Sequence, residues 1–562
     1  MNSDRRERRL WFGLLAGSAA LTLAVYGSAL SLPFFFDDFV HIPFVDTHGL
    51  GEIWLTAQGL AYYRPLAFTV WKLLALLLGH HDPVAQHAVN LLVHWANGLM
   101  VAWLAGRLWS HHRAIVWPRR YLSAALFLLF PFSYQAVPWV GALSHPLVTA
   151  LILLSLVAYL KFRDAGHRGW GAVSLAVTFL APFAHENGAL VGPLMALVEW
   201  TQPWRDDSIG RTFLRTAAWA LPALVWFPIW RLAPQAVVAS AALNSGEALM
   251  QNGLYFLQGI AYPVTWLGGW LRAEQSVNDL VAIFVLSTPL FLIAAFVQMR
   301  SRDRRAWLPW LWCGLTALPA VAFLKFDYVI NGPRLLVLAS VGAAWLWTDV
   351  ALRLVAWSAP AGLLRRMGAA IAAALTLAVL AQNAFFIHDR MLLHDLGGSA
   401  LRHAIVAAIA ANDGGQAAIF INLPAWLAPI RSTFALGHEG VQFLPSYAPD
   451  EKIVSVDTGR PAAIRAFRFD EIRPEMPYLY GLRGSTPDWS ALAQNGGQVL
   501  VTRYAPDAIE VETAGRITRD DLRRGSHGAF RRRGDAVRRD CDDERRSYAN
   551  RSDLASRSTA RG

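Results

Sequence analysis

Apolar positions along this chain fall into long runs separated by short polar stretches, without the period-2 alternation of barrel strands. Several runs reach the ~20 residues that a helix needs to cross ~30 Å of hydrocarbon. Lipid offers no partner to an exposed backbone amide, so such runs cross it as helices. The pattern predicts an all-α polytopic membrane bundle of about eleven transmembrane helices. They fall near 10–30, 86–106, 121–139, 144–162, 170–184, 187–200, 214–230, 280–298, 307–324, 334–350 and 367–387. The N-terminus "MNSDRRERRLWFGLL" has the basic start of a signal peptide, but the apolar stretch behind it is long for one and reads as a retained first span.

Charge decides how the spans are threaded. Arg and Lys cluster at 5–9, 107–120, 161–168, 205–215, 300–305 and 353–366. Placing these clusters in the cytoplasm pairs the spans between them, with the N-terminus inside and the C-terminus outside. Counting "LAFTVWKLLALLLG" at 66–79 as a span would invert everything after it, and it is short, so it is expected to lie along the outer surface. Two outer loops follow, 31–85 and 231–279, within a transmembrane region of 1–387.

Beyond the last span the pattern becomes mixed. "QAAIFINLP" and "GQVLVTRYA" read as short strands and "GSALRHAIVAAIAAN" as a helix, which predicts a small extracytoplasmic α/β domain over 388–515. Residues 516–562 hold almost no apolar side chains and are expected to be a disordered basic tail.

Composition agrees with the membrane class: 55% of the 562 residues are hydrophobic, 12% are aromatic and 24 are Trp. The formal charge of +11 suggests nucleic acid until it is located. The tail carries 14 Arg against 8 acidic residues, and much of the remainder sits in short loops beside spans, where topology explains it. No nucleic-acid partner is expected. Cys313 lies in an apolar run and Cys541 in the tail, so no disulfide joins them.

The polar residues left on the outer face gather in a few stretches: Asp37, Asp38 and His41; Tyr63 and Arg64 in "AYYRPL"; Asp82, His87, Asn90 and His94; His185 and Glu186; Asp327 and Arg334. Ionisable groups at membrane depth are functional candidates, because burying them costs a few kcal/mol on insertion scales, roughly 2.5 to 3.5 each. Each also has a structural reading. His87, Asn90 and His94 share one helical face and could serve interhelical hydrogen bonding. Arg64 and Arg334 suit snorkelling as well as bidentate phosphate binding. Asp37 and Asp38 suit a helix N-terminus. His80–His81 and His111–His112 fall on opposite sides of the membrane, so no metal site is expected.

The order of these stretches resembles the GT-C superfamily of polytopic glycosyltransferases. Within it the likeness is to the protein O-mannosyltransferases and the tetratricopeptide-repeat-bearing transmembrane mannosyltransferases. It covers roughly residues 10–345 and rests on the acidic pair Asp37–Asp38, "YYRPL", "HAVNLLVHWANGLMVAWL", "FPFSYQAVPWV", "APFAHENGALVGPLMAL" and "NGPRLLVLASVG". Three features depart from the repeat-bearing group: Gln135 stands where a Glu is usual, Leu143 where an Arg is, and His185–Glu186 where a Lys-Glu pair is. No tetratricopeptide repeat follows.

The resemblance implies a mannosyltransferase-like enzyme of the cell membrane, moving a sugar from a polyprenyl-phosphate donor to a protein, glycan or lipid acceptor at the outer face. Asp38, slightly ahead of Asp37, is the implied general base. Arg64 and Arg334 are implied at the lipid phosphate, with Tyr63, His87, Asn90, His185 and Glu186 lining the cavity. A resident cofactor is not implied, and a divalent cation is left open. Other classes remain: a transporter or flippase of lipid-linked sugar intermediates, a sensor whose external domain binds glycan, or a catalytically degenerate transferase kept as a scaffold.

Overall fold

The computed structural model describes residues 2–110, 115–202, 209–235, 242–300, 303–357, 363–460, 462–469, 475–486 and 497–514. His111, His112 and the 516–562 tail therefore lie outside the described residues. Among the described residues six segments are long and apolar enough to cross a membrane: Arg5–Ser31, Pro83–Leu108, Val140–Ala165, Arg304–Phe323, Pro333–Val355 and Arg366–Asp413. The pair Gly210–Trp219 and Leu221–Leu232, bent by 45°, makes up to seven. The other four expected crossings, near 121–139, 170–184, 187–200 and 280–298, do not meet that length and composition among the described residues. The chain is thus a multi-pass helical bundle.

The local chemistry explains where helices start and stop. Asp82 caps the Pro83–Leu108 helix by accepting from the Ala85 amide at 3.0 Å, and Pro83 occupies the first turn, where its missing N–H is not needed. The expected span at 121–139 ends early, because the helix Val116–Leu128 gives way to the 3-10 turn Pro131–Tyr134. Pro131 and Pro138 oppose a continuous helix there, so Gln135 and Trp139 sit in a buried, irregular segment rather than on a span. The Pro65–Leu78 helix has 14 residues, and its Leu73, Leu76, Leu77 and Leu78 are exposed. It stops at Gly79, whose φ of 80° an L side chain resists.

The arginine clusters meet at one end of the bundle. Arg107 pairs with Asp164, Arg119 with Asp349 at 3.0 Å, and Arg353 with the same Asp349 at 2.5 Å. Glu199 is held by Arg163 at 3.2 Å, Arg215 at 3.6 Å and the Tyr159 hydroxyl at 2.8 Å. Arg305 reaches the Leu108 carbonyl at 3.4 Å. The acidic pair, Arg64, Glu186 and Arg334 belong to segments at the opposite ends of these helices.

One helix, Leu363–Asp413, runs 51 residues from the bundle into the C-terminal region, where the sequence suggests a span and a separate helix. The Gly397–Gly398 pair between them does not break it. A Cβ on Gly397 would lie 2.2 Å from the Phe443 ring, so the glycine serves a close approach of the C-terminal region. After this helix the described residues form seven strands: β1 (Ala418–Ile421), β2 (Pro424–Pro429), β3 (Val441–Gln442), β4 (Ile464–Phe467), β5 (Tyr478–Leu482), β6 (Gln498–Tyr504) and β7 (Ile509–Ala514). They form a four-stranded sheet in the order β4-β1-β6-β7 and a three-stranded one in the order β3-β2-β5. β1 is parallel to both neighbours, with Ala418 opposite Ile464 and Gln498, and all four of its residues are buried.

Candidate active site

The chain leaves the first span through Leu32–Phe36 and turns sharply at Phe36, whose φ of 57° is unfavourable for a side chain of that size. The Phe36 amide donates to the Phe443 carbonyl at 2.6 Å, so the C-terminal region holds the turn in place. Asp37 opens the helix Asp38–Thr47 but makes no capping hydrogen bond with its side chain. Its carboxylate instead accepts from the Tyr447 hydroxyl. Asp38 is fully buried; one oxygen accepts from the Phe35 amide at 3.0 Å. The other faces the Trp139 indole N–H and the Gly141 amide, and a Cβ on Gly141 would come within 2.9 Å of it.

Burial pushes the Asp37 carboxyl up to about 6, with Arg334 and Arg64 pulling it part of the way back. Burial pushes Asp38 well above the usual carboxylate range; the Phe35 amide opposes this and the adjacent Asp37 charge adds to it. His41, bonded to the Tyr62 hydroxyl, is held neutral by burial and by Arg64, which bring it down to about 3. The two acids thus sit where the charged form is costly, the condition for a group that takes and releases protons.

Two arginines flank this pair with different partners. Arg64, just before the Pro65–Leu78 helix, pairs with Glu186 at 3.0 Å, donates to the Ser144 hydroxyl at 3.2 Å and lies 4.2 Å from the centre of the Tyr62 ring. Arg334, in the turn Pro333–Leu336, donates to the Gln135 side-chain oxygen at 2.9 Å and the Tyr328 hydroxyl at 3.1 Å, and lies 5.1 Å from the Trp139 ring centre. Gln135 is itself anchored, donating to the Asn331 carbonyl at 3.1 Å. Arg64 is therefore neutralised by a carboxylate, whereas the hydrogen-bond partners of Arg334 are neutral.

The remaining sequence candidates divide. Glu186 joins the cluster through Arg64, and His185 packs beside it with its ring 4.5 Å from that of His145. His185 Nδ1 accepts from the Asn187 amide at 3.1 Å, and burial, with Arg64 and Arg334, pushes the ring well below its usual range, so it is neutral. Tyr63 turns away to donate to the Trp54 carbonyl at 2.6 Å. Asn90 donates to the Trp139 carbonyl at 2.7 Å, fixing the segment that faces Asp38. His87 lies under that segment, stacked on Phe35. Tyr62, Trp139, Ser144, Gln135, Tyr328 and Tyr447 belong to the site without having been expected in it.

Phe35, Phe36, Gln135, Trp139, His394 and residues 440–442 of the C-terminal region line a small cleft at the turn that carries the acidic pair. The arrangement offers a half-buried carboxylate for proton transfer and a guanidinium with neutral partners for an anion. No family profile and no curated protein matches the chain. Several solved structures are similar to it, three of which follow. The first is arabinofuranosyltransferase AftD from Mycobacteria (15% identity over 87% of this chain and 36% of that one, TM-score 0.39). The second is archaeal oligosaccharyltransferase AglB from Archaeoglobus fulgidus, solved with an inhibitory peptide and a dolichol-phosphate (12%, 68% and 56%, 0.39). The third is ArnT from Cupriavidus metallidurans bound to undecaprenyl phosphate (11%, 90% and 99%, 0.41). The chain spans about a third of AftD and about half of AglB. Likenesses this distant assign no residue a role.

Proposed function

We propose that the protein is a membrane glycosyltransferase that moves a sugar from a polyprenyl-phosphate donor to a hydroxyl acceptor at the outer face. The observation that carries this reading is the half-buried Asp37 carboxylate flanked by Arg64 and Arg334 at the end of the bundle away from the arginine clusters. On the positive-inside rule that end faces outward, with the C-terminal region of 388–515 on the same side. The resemblance seen in the sequence makes mannose the first sugar to try.

In the reaction, Asp37 takes the proton of the acceptor hydroxyl as its oxygen bonds to the anomeric carbon. The bond from that carbon to the phosphate oxygen breaks, and the phosphate leaves with the electron pair, giving an inverted centre. Asp37 is preferred over Asp38 as base because it is the less buried and a carboxyl near 6 is largely ionised at neutral pH. Asp38 then acts as a positioning residue, fixing the turn at Phe36 through the Phe35 amide. Arg334 meets the leaving phosphate, since its neutral partners leave its charge free to act. Arg64 has its charge balanced by Glu186 and shapes the cavity.

The test supplies membranes containing the protein with polyprenyl-phosphate sugars and compares wild type with Asp37→Asn and Asp38→Asn. Loss of transfer in Asp37→Asn at normal membrane levels supports the reading. Full transfer by that variant would falsify the base assignment, and movement of the lipid without sugar consumption would favour a flippase.

A further inference from the structure

The group bonded to Asp37 comes from the far part of the chain, 410 residues away: the Tyr447 hydroxyl donates to Asp37 Oδ1. The loop that carries Tyr447 is clamped on both sides of it. Arg483 donates to the carbonyls of Pro445 and, at 2.5 Å, Ala448, and pairs with Asp450 at 2.7 Å. Asp450 accepts in turn from the Ala466 amide at 3.0 Å. At the base of the loop, the Phe443 carbonyl holds the Phe36 amide, and the Phe36 ring meets Tyr447 edge-on at 6.3 Å. Tyr447 itself is 61% exposed, so burial does little to fix it, and its polar anchor is Asp37.

We infer that Tyr447 is a gate on the base: its hydroxyl occupies the Oδ1 side of the carboxylate, and an acceptor hydroxyl reaches that oxygen by displacing it. While it is seated, water is kept from the same place. This rests on the glycosyl-transfer reading and adds that the C-terminal region completes the site. Without the gate, water replaces the acceptor. Its oxygen bonds to the anomeric carbon, its proton passes to Asp37, and the phosphate leaves with the electron pair of the broken bond, releasing free sugar and polyprenyl phosphate.

Besides Tyr447, the ionisable groups facing Asp37 are Asp38 beside it, Tyr62 and Arg64 ahead of the Pro65–Leu78 helix, and Arg334. Removing a donor from an ionised carboxylate favours its neutral form, so Tyr447→Phe should also move the acid limb of the rate upward in pH.

The experiment needs no acceptor. Full-length protein in membranes is given a panel of labelled polyprenyl-phosphate hexoses, and free sugar is measured across pH for wild type, Tyr447→Phe, Arg483→Met, Asp37→Asn and the Asp37→Asn/Tyr447→Phe pair. We expect several-fold faster release from Tyr447→Phe with its acid limb shifted up, a smaller rise from Arg483→Met, and none from either Asp37 variant. Release from Tyr447→Phe at or below the wild-type rate with an unmoved limb overturns the gate. If wild-type release still depends on Asp37 in that case, the transfer reading stands. No release from any form overturns both.

Discussion

The two ends of the helical bundle treat charge in opposite ways. At the arginine-rich end, Asp164, Glu199 and Asp349 each have a guanidinium at contact distance, and two of them have more than one. At the other end, Asp37 and Asp38 are held by a tyrosine hydroxyl and a backbone amide, and burial pushes both carboxyls upward. Matched charges pin helix ends to one another. A carboxyl whose hydrogen bond comes from a neutral donor, with Arg334 and Arg64 acting on it only through their charge, fits the proton exchange proposed for Asp37.

The largest effect should come from exchanging an acid for its amide at each end. Asp37→Asn is expected to lower transfer by roughly 10²–10⁴-fold, the usual worth of a general base, with normal amounts of folded protein in the membrane. Glu199→Gln at the other end should leave turnover per folded molecule near the wild-type value, measured against the fraction monodisperse in detergent. Equal loss of turnover in both would erase the distinction between the ends.

Stability should respond in the reverse sense. Asp349→Asn leaves the Arg119 guanidinium, 4% exposed, without its carboxylate. Breaking a buried pair from one side costs about 3–5 kcal/mol, so a clear fall in the thermal midpoint of purified protein is expected. Asp37→Asn should not show it. An acid whose folded pKa is raised from about 3.9 to about 6 loses stability as pH rises through that window, so the amide removes a penalty present at neutral pH. Unfolding midpoints at pH 4.5 and 7.5 give the sign: Asp37→Asn should gain on wild type at the higher pH. Transfer runs the other way, because the base must be ionised. It should fall about tenfold per unit below pH 6 and level off above it.

Much of this contrast is legible in the sequence, and its limits are physical. The arginine clusters betray one end because charge resists the bilayer, and Asp37–Asp38, Arg64, Glu186 and Arg334 stand out for the same reason. Periodicity places Asn90 on an inward helical face, yet cannot say that it grips the Trp139 carbonyl, since that depends on a chain 49 residues away. In "AYYRPL" neither helix nor strand fixes which tyrosine faces the acids. Tyr63 was expected in the site and Tyr62 occupies it, stacked beneath Arg64. Gln135 reads as the end of a span, but the prolines around it put it in a turn against Arg334. Tyr447 gives no local signal at all, because an exposed tyrosine in a loop has no pattern to belong to.

Within the site, the same rule separates the two arginines, and Arg334→Gln should raise the donor KM by about 10–100-fold, the worth of one charge-assisted hydrogen bond at roughly 1.5–3 kcal/mol. Arg64→Gln should instead act mainly on folding, by stranding Glu186.

The finest test moves a single charge. In Gln135→Glu a carboxylate replaces the amide oxygen 2.9 Å from Arg334, giving that arginine the kind of partner Arg64 already has. Its charge is then spent inside the protein, so the donor KM should rise several-fold while kcat changes little. The new negative charge near Asp37 should also move the acid limb of the rate upward in pH. Glu186→Gln releases Arg64 from its pair and should shift the donor KM the other way. If neither substitution moves donor affinity, the difference between a matched and an unmatched arginine is not what selects the anion, and shape around Trp139 and Tyr328 must do so instead.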